Sequence, residues 1–118
     1  LQARTEEEKT RLLKEAKELE KLGCFSLVLE KIPLLVAKKV TEAIKIPTIG
    51  IGAGPFCDGQ ILVLQDLLGL FETPKLKFVK QYTNLNEIIK EAVKNYWEEV
   101  KKREFPKEEH SFQEDEGC

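Results

Sequence analysis

Two apolar runs of strand length, separated by one helical repeat, constrain this chain more than any other feature of it. The first is Phe25-Ser26-Leu27-Val28-Leu29 and the second is Pro47-Thr48-Ile49-Gly50-Ile51-Gly52. Between them, Pro33 suits the first turn of a helix, and Val36, Ala37, Val40, Ala43 and Ile44 recur at helical spacing. Apolar runs this short, set between helical patterns, read as strands buried on both faces of a parallel sheet. Strand, helix and strand then form a βαβ unit with a right-handed crossover. The pattern predicts strands over about 25–30 and 47–52 and a helix over about 33–45.

A preceding helix is predicted over about 5–22. Thr5 and Glu8 have the spacing of a capping box, Leu12, Leu13, Ala16, Leu19 and Leu22 form one apolar stripe, and Gly23 stands where a helix stops. A third apolar run, Ile61-Leu62-Val63-Leu64, predicts a strand over about 61–65. It begins nine residues after Gly52, too close for a helical crossover of about 10–12 residues. Its connection is therefore irregular, or the run is not a parallel neighbour. Leu85, Ile88, Ile89, Ala92, Val93, Tyr96, Trp97 and Val100 predict an amphipathic helix over about 85–102. Residues 46–73 hold no Lys or Arg and only three acidic side chains, Asp58, Asp66 and Glu72, so they read as interior wrapped by two charged flanks. The tail after Glu104 is polar, and Glu114-Asp115-Glu116 reads as disordered.

The 118 residues amount to one small domain. A net charge of −2 argues against a nucleic-acid partner, and no apolar run approaches the roughly 20 residues of a membrane span. The charged N-terminus does not resemble a signal peptide. Cys24, Cys57 and Cys118 form no CxxC pair and the chain has one His, so zinc templates fail and a reduced, cytoplasmic chain is expected. Met is absent even at position 1, which suggests a cut or incomplete piece. Two or three parallel strands with three helices cannot close a core, and a full (β/α)₈ barrel takes about 250 residues. The pattern looks like part of a larger architecture.

Glu30 is the leading candidate for chemistry. It follows a strand and precedes a helix, at the C-terminal end where parallel α/β folds place their reactive groups. Apolar neighbours there would desolvate the carboxylate and raise its pKa toward neutrality; the plainer alternative is a Glu paired with Lys31 or left in water. Gly50-Ile51-Gly52-Ala53-Gly54 lacks the GxGxxG pattern and a nearby Lys, so its glycines serve a tight turn or a close approach rather than a nucleotide. Asp58-Gly59 reads as a turn cap before it reads as a ligand. His110 has no partner His or Cys and is assigned a surface or packing role. Tyr96 and Trp97 are core or interface residues.

Taken in order, these segments resemble the ketopantoate hydroxymethyltransferase family. The resemblance rests on Phe25–Glu30 followed by Pro33, on Ile46–Gly54, and on Asp58-Gly59-Gln60-Ile61-Leu62-Val63. It continues through Pro74-Lys75, Phe78-Val79-Lys80, Phe105-Pro106 and Glu109-His110-Ser111-Phe112, and Gln2 with Arg4–Glu8 matches the family's helix opening. It implies an α/β fold in which residues 1–112 are the C-terminal part of a single (β/α)₈ TIM-barrel domain, with 113–118 a disordered acidic tail. It also implies hydroxymethyl transfer from 5,10-methylenetetrahydrofolate to 3-methyl-2-oxobutanoate, giving 2-dehydropantoate, on the route to pantothenate and coenzyme A. Glu30 matches the family's proton acceptor. The family's Mg²⁺ chelates the keto acid, but its ligands lie upstream of these residues, so no metal ligand carries over and the segment alone is expected to be inactive. Cofactor-binding residues are not identified. Lys31 departs from the small or apolar residue of the pattern, and an adjacent cation would lower the carboxylate pKa. The implied partners are the missing N-terminal half of the barrel and further copies in a homo-oligomer, often a decamer. The contrasting reading is a non-enzymatic helical module docking through residues 85–100.

Overall fold

A computed structural model describes residues 2–72 and 76–114. Pro74, Lys75, Cys118 and most of the acidic tail lie outside the described residues. The elements run in order α1 (Glu6–Lys21), β1 (Leu27–Glu30), α2 (Leu34–Ala43), β2 (Thr48–Ile51), β3 (Gly59–Gln60), α3 (Leu64–Leu67) and α4 (Leu85–Lys101), then a 3₁₀ turn at Glu108–His110. The strands form one parallel sheet in the order β1-β2-β3, with Leu27 opposite Thr48, Glu30 opposite Ile51 and Ile49 opposite Gly59. The architecture is α/β, with a small parallel sheet.

α1 starts at the predicted capping box. Glu8 N–H donates to Thr5 Oγ1 at 3.2 Å, and the Glu8 carboxylate accepts from Thr5 N–H at 3.1 Å. The helix ends in a Schellman arrangement: Cys24 N–H donates to Leu19 O, and Gly23, at φ 95°, donates to Glu20 O. α4 ends the same way, Glu104 N–H donating to Glu99 O and Arg103 N–H to Val100 O. There Arg103 occupies the left-handed position at φ 58°, where a side chain costs about 1 kcal/mol relative to Gly. Arg103→Gly should therefore steady the last turn of α4 by about 1 kcal/mol, seen as slower amide exchange at Arg103 and Glu104; unchanged or faster exchange would contradict it.

The core lies on one face of the sheet. Leu29 is buried against Ala16 of α1 and against Val36, Ala37 and Val40 of α2, with Ile32, Ile44 and Ala53 closing the cluster. Alternation along β1 sends Val28 and Glu30 to the opposite face. That face is open: Val28 is 59% exposed. The expectation of strands buried on both faces is thus corrected, because both helices cover the same side. For the same reason residues 46–73 are only partly interior, with Phe56, Ile61, Val63, Leu64 and Phe71 exposed.

The predicted strand over 61–65 is also corrected. The β3 ladder lies two residues earlier, at Gly59–Gln60. Ile61 N–H still donates to Gly50 O at 3.0 Å, but from Leu64 the run turns into α3. The strand is nonetheless a parallel neighbour of β2, reached by an irregular connection. α4 matches the predicted helix, yet none of its residues is buried, and Ile88, Ile89, Val93, Tyr96, Trp97 and Val100 stand exposed. The predicted wrapping of this flank around the interior does not occur, since its apolar stripe meets nothing among the described residues that buries it.

The start of α4 is anchored to the end of α3. Leu85 N–H donates to Leu68 O, Asn86 N–H donates to Gly69 O, and Lys90 forms an ion pair with Glu72. The hydrogen bond and charge of Lys90 hold the Glu72 carboxyl below the ordinary carboxylate range, and Glu72 in turn raises the Lys90 ammonium. A lowered carboxyl pKa means that this anchor is complete above the ordinary Glu value and is lost as pH falls through the lower folded value. Following the Glu72 carboxyl carbon by NMR should give a midpoint below the ordinary Glu value; a midpoint at that value would remove the anchor.

Candidate active site

β1 delivers Glu30 to the C-terminal edge of the sheet, on its open face. The side chain is 58% exposed, and its Oε1 lies 3.8 Å from Lys31 Nζ. The desolvation expected around this carboxylate is therefore not supplied by the described residues, and the pairing with Lys31 is present. Lys31 itself takes a left-handed backbone at φ 52°. Its N–H donates to Ile51 O and its carbonyl accepts from Gln2 N–H, both at 2.9 Å. A side chain in this region stores backbone strain of about 1–3 kcal/mol, which typically gathers where a site fixes its geometry. The bend ends β1 directly after Glu30 and holds the backbone there beside the end of β2.

The loop leaving β2 completes this edge. Gly52 and Gly54 have positive φ, which confirms the turn expected of the glycine run. The Phe78 ring packs onto Gly52, Leu34 onto Gly54, and Gln60 Nε2 donates to Gly54 O at 2.8 Å. Sequence reading named neither Phe78 nor Gln60 as contributors here. Their only signal was position within the matching segments, because a contact between residues 52 and 78 follows no local period.

Asp58 belongs to the opposite edge. Its Oδ2 accepts from Thr48 N–H at 2.8 Å and lies 3.2 Å from Thr48 Oγ1, while its own N–H donates to Thr48 Oγ1 at 3.3 Å. This is the structural cap anticipated from Asp58-Gly59, placed at the N-terminal end of the strands. Glu20 does similar work nearby: its carboxylate accepts from Lys45 and Ile46 N–H, fastening α1 to the loop before β2. His110 is a packing residue, its Nδ1 accepting from Lys107 N–H at 3.2 Å and its ring 5.1 Å from that of Phe105. Tyr96 packs edge-on against Phe105 at 5.6 Å. A concavity of about 280 Å³ between Gln2, Glu8, Arg11, Glu15 and Ile32 opens beside α1, and Glu30 does not line it.

Among the described residues no three His, Cys, Asp or Glu side chains come together as a metal site. No cluster of that kind among the described residues offers itself to the implied Mg²⁺. No helix among the described residues is long and apolar enough to cross a membrane.

The profile of the ketopantoate hydroxymethyltransferase family matches residues 1–108. A 3-methyl-2-oxobutanoate hydroxymethyltransferase from Caldicellulosiruptor saccharolyticus is 54% identical over 112 residues, 95% of this chain and 42% of the relative. Enzymes of the same name from Geobacter metallireducens (56% over 112 residues, 95% of this chain and 42% of the relative) and Pyrobaculum aerophilum (56% over 107 residues, 91% and 40%) are comparably similar. The chain thus spans about two fifths of the length of these relatives. With identity at this level across nearly all of its residues, the chain belongs to the ketopantoate hydroxymethyltransferase family of transferase enzymes.

Proposed function

We propose that these residues are the C-terminal part of one (β/α)₈ barrel, and that the complete enzyme transfers a hydroxymethyl group from 5,10-methylenetetrahydrofolate to 3-methyl-2-oxobutanoate. Glu30 is the proton acceptor. It removes the C3 proton of the keto acid; the enolate carbon bonds to the folate-borne methylene carbon, both bonds from that carbon to folate nitrogen break, and water supplies the hydroxyl oxygen. The C3 proton and the two protons of water end on the new hydroxyl and the two folate nitrogens, and tetrahydrofolate and 2-dehydropantoate leave. The observation that carries this reading is the position of Glu30, at the C-terminal edge on the one sheet face that the helices leave uncovered. In a barrel that face is the interior, and the C-terminal edge is where the chemistry sits. The barrel interior also supplies the dry surroundings that the described residues lack around Glu30.

Mg²⁺, the folate pocket and the remaining strands belong in this reading to the rest of the protein, so these 118 residues alone are inactive. The complete enzyme is a cytoplasmic homo-oligomer. The exposed stripe of α4 is the feature that would suit a docking module, but family membership favours the enzyme. The test is exchange of the C3 proton of 3-methyl-2-oxobutanoate in D₂O, by NMR, in the enzyme that joins these residues to the rest of the barrel. Exchange that needs Glu30 supports the assignment, and exchange indifferent to Glu30 removes it.

A further inference from the structure

The short loop Gly52-Ala53-Gly54 leaves β2 one residue beyond Ile51, the partner of Glu30 across the ladder. It is gripped rather than loose. A Cβ on Gly52 would lie 2.9 Å from the Phe78 ring, and one on Gly54 would lie 3.0 Å from Leu34. Both glycines have positive φ, Ala53 between them is fully buried, and Gln60 holds the Gly54 carbonyl. The two apolar side chains reach this loop from different parts of the chain. Leu34 lies four residues beyond Glu30, and Phe78 comes from the segment between α3 and α4. Leu34 is exposed and Phe78 is half-buried, so both present apolar surface at the edge where Glu30 ends β1.

We propose that Phe78, seated on Gly52 and aided by Leu34, is a specificity-determining residue that sets the size of the apolar end of the 2-oxo acid handled by Glu30. The proposal rests on the function proposed above and adds a residue to it. A site for a small branched 2-oxo acid needs an apolar wall beside a few polar groups that fix orientation. Glu30 supplies the polar group; Phe78 and Leu34 are apolar groups fixed at the same edge by glycines that leave room for them. The loop cannot withdraw to enlarge the space, because its own backbone is pinned by Gln60 and by the buried Ala53.

The test compares kcat/KM for 3-methyl-2-oxobutanoate with that for 3-methyl-2-oxopentanoate, one methylene larger, in the complete enzyme. The ratio for two substrates in one preparation is independent of how much enzyme is folded, so a merely structural role of Phe78 leaves it unmoved. Phe78→Ala should shift the ratio toward the larger acid by about tenfold, the scale of one methylene in an apolar pocket. Phe78→Leu, which keeps an apolar wall, should stay near the parent. If Phe78→Ala does not fold, Leu34→Ala reads the same ratio and should move it in the same direction. An unchanged ratio in the folded variants overturns the proposal while leaving the transferase reading intact. Failure of the parent enzyme to exchange or transform either acid overturns both.

Discussion

Glu30→Gln is expected to lower kcat for hydroxymethyl transfer by about 10²–10⁴-fold, the contribution of a positioned general base. The substitution keeps shape and volume and removes only the capacity to take a proton. Its structural cost should be small. Glu30 is largely exposed, and its ion-pair partner among the described residues is Lys31, 3.8 Å away and also solvent-accessible. Pairs of that kind contribute about 0–1 kcal/mol. The unfolding midpoint should therefore stay close to the parent while C3 proton exchange and product formation fall together. Near-normal exchange in a folded Glu30→Gln enzyme would show that another group takes the proton. Loss of folding would show instead that the carboxylate holds the C-terminal edge together.

The position of Glu30 was legible because it depends on two local signals, an apolar run that ends and a helix that begins. The same holds for α1, where Thr5 and Glu8 mark the start and Gly23 the end. Arg103 gave no such signal, since the left-handed residue that closes α4 is imposed by the turn rather than favoured by its side chain. β3 was misplaced because hydropathy finds apolar side chains, whereas the ladder is made by the backbone of Gly59 and Gln60, which contribute none. The open face of the sheet was illegible for a different reason. Leu27, Val28 and Leu29 are all apolar, and a run without alternation cannot say which of its two faces the neighbouring helices cover. The partner of Asp58 was hidden as well: a turn cap was expected, but its pairing with a buried Thr ten residues back follows no local period.

That pairing leads to the converse prediction. Thr48 is fully buried, and its N–H donates to Asp58 Oδ2. Its hydroxyl meets Asp58 Oδ2 and lies 2.8 Å from Thr41 Oγ1, which in turn donates to Ala37 O at 2.9 Å. Two hydroxyl protons are shared among these contacts, and among the described residues the carboxylate is the acceptor for the Thr48 N–H. Asp58→Ala leaves that N–H buried without a partner, a loss of about 1–3 kcal/mol, measurable as a lower urea midpoint. Asp58→Asn keeps an acceptor oxygen and should lose less. A midpoint unchanged in Asp58→Ala would mean that water replaces the carboxylate at no cost. Because Asp58 and Thr48 sit at the N-terminal edge, about 10 Å along the strands from Glu30 at the usual rise per residue, kcat per folded molecule should be unaffected. Glu30→Gln and Asp58→Ala should thus dissociate activity from stability across the length of one four-residue strand. A common loss of both in either variant would mean that the two edges of this sheet are not independent.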